Sequence, residues 1–179
     1  MKQQVESFLS EDKKSCLTST QAEIFSVAEE LKSDGQKGKC YLIEHTEEAI
    51  LKVSNSSKKV IFLLAIDDCI FSSADLSRCD CAVFDDKSFY FIEIKDSYSK
   101  KQRSDHRDKA SLQLRSALEF FTQKFDFKSY QLNAVICFRF QKRYPTKITT
   151  RQQDAVDFWD SFKAKLLEGN EIQFESQSS

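Results

Sequence analysis

Two hydrophobic periods alternate along this chain, and each switch between them marks an expected element. The first 18 residues are polar with weak periodicity, and read as an N-terminal arm or short helix. Thr20 and Glu23 have capping-box spacing, and Ile24, Val27, Ala28 and Leu31 follow at helical spacing. This predicts a helix that ends before Gly35 and Gly38. Apolar runs at Cys40–Glu44 and Val60–Ile66 predict strands, with a surface loop over Asp67–Arg78. Two more strands, Cys79–Asp85 and Ser88–Lys95, join around Asp86-Lys87. Residues 96–106 carry no apolar period and are expected as a loop. Ala110, Leu114, Ala117, Leu118, Phe121 and Phe125 then form one stripe of a helix over about Arg107–Phe125. Leu132–Phe140 reads as a buried strand, and Pro145 marks the loop after it. Thr150 and Gln153 repeat the capping signal, and Ala155, Phe158, Trp159, Phe162 and Leu166 line a C-terminal helix over 150–168.

Helix, strands, helix, strand, helix predicts an α/β fold (α+β, mixed sheet) with helices packed on it. The 179 residues fit a single domain, 1–179, with room for a sizeable core. No run approaches the roughly 20 apolar residues that span a membrane, and the start lacks the apolar core of a secretory signal. A soluble, cytoplasmic protein is therefore expected. Six cysteines scattered through apolar runs are expected as reduced, buried thiols. Cys79 and Cys81 form a CxC with no second pair at zinc spacing. Three glycines leave no phosphate-cradling loop, which argues against nucleotide-driven chemistry.

Charge changes the picture locally. Net charge is −1, yet residues 98–151 hold 13 Lys and Arg against 4 Asp and Glu. A cationic stretch in a near-neutral chain suits an anionic partner, nucleic acid first, or else is a solvated basic surface.

The candidate chemistry lies in residues 77–96, SRCDCAVFDDKSFYFIEIKD. A two-residue turn at Asp86-Lys87 sets Asp85 opposite Ser88 and Asp80 opposite Glu93. Cross-strand partners share a sheet face about 5 Å apart, and Lys95 projects from the same face as Glu93. Both faces of FYFIEIK are apolar before Glu93, as in a doubly covered strand, where an acid and a lysine are costly unless paired or metal-bound. The plainer alternative is that the strand simply surfaces there.

An Asp opening one strand, ExK ending the next, then a helix and a further strand resembles the PD-(D/E)XK nuclease superfamily, which has a restriction-endonuclease-like fold. The resemblance covers about residues 20–140, the expected nuclease core. No Pro precedes Asp80, which follows Arg78-Cys79. The resemblance implies Asp80, Glu93 and Lys95 as catalytic residues, and Mg²⁺ or Mn²⁺ bound by Asp80, Glu93 and the carbonyl of Ile94. It also implies possible accessory positions: an acid on the first helix, Glu23 or Glu30, and Gln113 on the helix after ExK. Against these stand plainer roles: a cap partner, a solvated charge and a residue flanking the core. Lys100, Lys101, Arg103, Arg107 and Lys109, with Arg139, Lys142, Arg143, Lys147 and Arg151, would grip phosphates without reading sequence. The implied activity is hydrolysis of phosphodiester bonds, most simply as a DNA endonuclease, with defence against foreign DNA as one setting. It would act as a homodimer or within a larger nuclease complex. The alternative is an inactive nuclease-fold module that binds nucleic acid or a protein partner.

Overall fold

The computed structural model describes residues 1–46, 49–71, 78–97, 99–139, 145–149 and 152–174. In chain order these form α1 (Lys2–Phe8), a 3-10 turn (Glu11–Cys16), β1 (Leu17–Thr20), β2 (Ile24–Leu31), β3 (Lys37–Glu44), β4 (Leu51–Asn55) and β5 (Ile61–Ala65). There follow β6 (Cys81–Phe84), β7 (Ser88–Lys95), α2 (Lys100–Thr122), β8 (Gln131–Phe138), β9 (Lys147–Ile148), α3 (Gln152–Phe162), β10 (Ala164–Glu168) and β11 (Glu171–Phe174). The class is mixed α/β, with a seven-stranded sheet in the order β1-β5-β6-β7-β8-β10-β9 and a four-stranded sheet in the order β11-β4-β2-β3. Both sheets contain parallel and antiparallel neighbours. Among the described residues, no helix is long and apolar enough to cross a membrane.

Residue alternation on β7 makes three layers. Phe89 and Phe91 point to the helices, in a core with Leu114, Leu118 and Phe121 of α2 and Phe158 of α3. Ile92 and Ile94 point the other way, toward Phe25, Val27 and Cys40 of the second sheet. β7 is thus covered on both faces, as its near-continuous apolar run predicts. Glu93 and Lys95 follow Phe89 and Phe91 on the helix-facing set of positions.

The segment expected as a helix from Thr20 instead forms β2, just after β1 ends at Thr20. The helical stripe would have buried Ile24 and Leu31, but these are 48% and 70% exposed. Phe25, Val27 and Glu29 point inward at a period of two, and Gly35, with φ of 79°, serves the β2–β3 hairpin rather than a helix end. The expected loop 96–106 is also corrected, because α2 already starts at Lys100. Ser99 caps it by accepting a hydrogen bond from the Gln102 amide at 3.2 Å. The first turns lack an apolar stripe because they run past the edge of the core. The helix expected over 150–168 ends at Phe162; Lys163 turns with φ of 54°, and Ala164–Glu168 becomes β10, parallel to β8. β4 and β11 complete the second sheet in segments where no element was expected.

The cysteines divide. Cys16 and Cys69 form a disulfide across 53 residues, which corrects the expectation of six thiols. Cys40, Cys79, Cys81 and Cys137 are free and buried. The bond ties the turn before β1 to the loop after β5, a proximity set by β1–β5 pairing.

Candidate functional site

The open end of the β6–β7 hairpin carries the site. Cys81 pairs with Ile92 and Phe84 with Phe89, the register that sets Asp80 opposite Glu93. Asp80 lies just before β6, where its carboxylate takes over from the ladder: Oδ2 accepts the Ile94 amide at 2.5 Å. Its carbonyl accepts the amides of Ile66 and Asp67 at 3.0 and 3.1 Å, so the end of β5 fixes its backbone. Glu93 is 1% exposed. One of its oxygens, Oε1, pairs with Lys95 Nζ at 2.5 Å, while Oε2 is buried without a hydrogen-bond partner.

Lys95 also donates to Gln113 Oε1 at 2.5 Å, and Gln113 Nε2 donates to the carbonyl of Arg78 at 3.1 Å. Gln113 therefore bridges α2, the segment leading into Asp80, and the lysine at the end of β7. Both amide ends are used, which fixes the orientation of the group that holds Lys95.

Burial pushes Asp80 up to about 7, helped by the charge of Glu29 and opposed by the Ile94 amide, Lys37 and Lys95. Burial, then the charge of Asp80, push Glu93 well above the usual carboxylate range, and Lys95 opposes this. Glu29 raises Asp80 and Asp80 raises Glu93, and Lys37 and Lys95 offset these buried acids only in part. A divalent cation would reverse that balance.

Other expected residues are distributed unevenly. Glu23 is exposed and faces Lys58 at 3.6 Å, away from the site. Glu30 lies over Gly38 on the outward side of β2, the opposite side from Glu29. Lys101 and Lys109 are exposed on α2, and Arg103 is half-buried there. Lys100 opens the same helix. Arg107 forms a two-pronged pair with Glu168, both bonds at 2.6 Å, and lies over the Phe138 ring. Arg139 pairs with Glu29 and Asp96 beside the carboxylates. Lys147 lies on β9, whereas Lys142, Arg143 and Arg151 fall outside the described residues.

Two acids lie beyond what the sequence pattern singled out. Glu29 has a side chain only 2% exposed and meets Lys37 and Arg139. Its signal is an acid continuing the Phe25, Val27 alternation. Asp67, at the end of the VIFLLAI run, is half-buried, with its pKa raised by burial and held back by Lys32 and Lys95.

Comparison of the chain with family models, curated proteins and solved structures finds no match.

The donor set suits a hard divalent cation. Asp80 and Glu93 offer carboxylate oxygens, one of them an orphaned buried atom, and the Ile94 carbonyl stands between Glu93 and Lys95 in sequence. Among the described residues, no three His, Cys, Asp or Glu side chains are grouped to hold a metal ion. Magnesium bound by one or two carboxylates keeps waters and substrate oxygens as its other ligands.

Proposed function

We propose that this chain is a metal-dependent nuclease with a restriction-endonuclease-like core, hydrolysing phosphodiester bonds in nucleic acid, DNA first. The observation that carries this reading is the gathering of Asp80, Glu93, Lys95 and Gln113 at one end of β7, with a buried Glu93 oxygen unpartnered. The order β6, β7, α2, β8, with β8 parallel to β7, supports it by matching the Asp, ExK, helix, strand sequence of the family.

Asp80, Glu93 and the Ile94 carbonyl would hold Mg²⁺ or Mn²⁺. Such an ion supplies Lewis acidity toward a phosphoryl oxygen and a water of lowered pKa. Lys95, steered by Gln113, holds its ammonium at the mouth of the site, where it orients the attacking water and offsets phosphate charge. Burial of both carboxylates keeps the surroundings at low dielectric, which strengthens each of these interactions. The exposed lysines of α2 hold the strand through its backbone charge.

The test is incubation with plasmid, linear duplex, single-stranded DNA and RNA in Mg²⁺ or Mn²⁺. Asp80→Ala and Lys95→Ala are expected to lower cleavage by about 100- to 1,000-fold with folding intact. Equal cleavage by these variants sinks the assignment. Salt-sensitive binding by the wild type without any cleavage selects the binding-module alternative.

A further inference from the structure

Four charges from four elements meet beside the carboxylates: Glu29 on β2, Lys37 on β3, Asp96 just after β7 and Arg139 just after β8. Lys37 Nζ lies 3.3 Å from both Glu29 and Asp96, and Arg139 pairs with the same two acids. The ring joins the second sheet to the end of the strand that carries Glu93 and Lys95.

The two cations are held differently. Arg139 is fixed, its amide bonded to the Lys95 carbonyl at 3.0 Å and its guanidinium engaged by both acids. It shares buried Glu29 with Lys37 and would stay paired with it if Lys37 moved away. Lys37 is the more exposed, at 38% against 21%, and is a compact charge on a flexible stem. Its release from the ring would leave neither acid unpaired. The same ammonium is among the charges that hold down both Asp80 and Glu93.

Resting on the nuclease reading, we infer that Lys37, delivered by the second sheet, is a substrate-facing cation that contacts a backbone phosphate of the bound strand. Arg139 is its strut, keeping Glu29 and Asp96 compensated when Lys37 swings to the phosphate. The site then has one lysine from each side of the main sheet: Lys95 by way of β7 and α2, and Lys37 by way of β3.

The experiment compares wild type, Lys37→Ala, Lys37→Arg and a control at the far end of the sheet, Lys128→Ala. Binding of a fluorescent DNA duplex in Ca²⁺ is read across salt, and cleavage in Mg²⁺ gives kcat and KM. Lys37→Ala is expected to raise Kd and KM about tenfold with kcat within about threefold, and to lower the salt slope by about one. Lys37→Arg should stay within about threefold of wild type and Lys128→Ala should be indistinguishable from it. Wild-type binding and KM in Lys37→Ala overturn the inference and leave the nuclease reading standing. So does a deficit that disappears once activity is normalised to the folded fraction by circular dichroism, because a merely structural lysine would act that way. If wild type neither binds nor cleaves, the nuclease reading falls, and this inference with it.

Discussion

At the turn end of the β6–β7 hairpin, buried Asp85 is fully engaged. Its Oδ1 accepts the amides of Lys87 and Ser88 at 2.8 and 2.7 Å, and its Oδ2 pairs with Lys59 at 3.2 Å. At the open end, Glu93 is as deeply buried, yet one oxygen has no hydrogen-bond partner, and a second acid, Asp80, raises its pKa. The same two strands bury both carboxylates. One ties a turn; the other retains an unmet demand for positive charge. A buried acid by itself says little, and what distinguishes the two ends is whether its lone pairs are used.

The largest effect expected from that contrast is on stability against pH. The Asp80 pKa rises from 3.8 to about 7 on folding, so between those values the folded state binds more protons than the unfolded one. In the absence of divalent metal, stability should therefore fall as pH rises from about 4 to 7, by up to about 1.4 kcal/mol for each pH step of one. Urea unfolding across that range should show the decline; Asp80→Asn should make it shallower, and adding Glu93→Gln should flatten it. A decline unchanged in the double variant would mean that the open end is not the source.

At the other end, Asp85→Ala should behave as a plain structural loss. It removes the acceptor for two amides and one of the two acid partners of Lys59, a cost of about 1–3 kcal/mol in urea unfolding. Cleavage by the folded fraction and its metal dependence should not change. A change in either would break the division of labour between the two ends.

The smallest effect is expected on the surface. α2 runs from the open end back toward the turn end, so Lys101 and Lys109 lie near one and Lys124 and Lys128 nearer the other. Replacing the first pair by Ala should reduce the salt slope of DNA binding by about two, and replacing the second pair should not. Equal slopes for the two double variants would remove the polarity on which the comparison rests.

Much of the fold is legible in the sequence where pattern and packing agree. Ser88–Lys95 occupies the bounds its apolar run predicts, and the short turn at Asp86-Lys87 sets the β6–β7 register. The α2 core stripe, Ala110 to Phe121, is buried as its period requires. Pattern misleads where a segment satisfies two periods at once. IFSVAEEL supports a helical stripe through Ile24 and Leu31, but also a two-residue alternation through Phe25, Val27 and Glu29, and sheet pairing with β3 and β4 selects the second. Ala164–Glu168 likewise extends the helical stripe of α3 through Leu166, yet β8 holds it as a parallel neighbour.

The sequence by itself determined which residues share the central hairpin, because side-chain alternation and a short turn are local rules. That Asp80 faces Glu93, with Lys95 on the same side of the strand, follows from those rules, whereas their reading as a site rests on the resemblance to a nuclease pattern. Tertiary structure decided everything that reaches the hairpin from a distance: Gln113 through the docking of α2, Glu29 and Lys37 through the second sheet, and the Cys16–Cys69 bond through β1–β5 pairing. The Lys95–Gln113, Cys16–Cys69, Lys37–Asp96 and Glu29–Arg139 contacts join residues 18 to 110 positions apart, and no local period encodes them. They depend on how whole elements bury their apolar faces against one another, and that packing determines which charges the buried carboxylates meet.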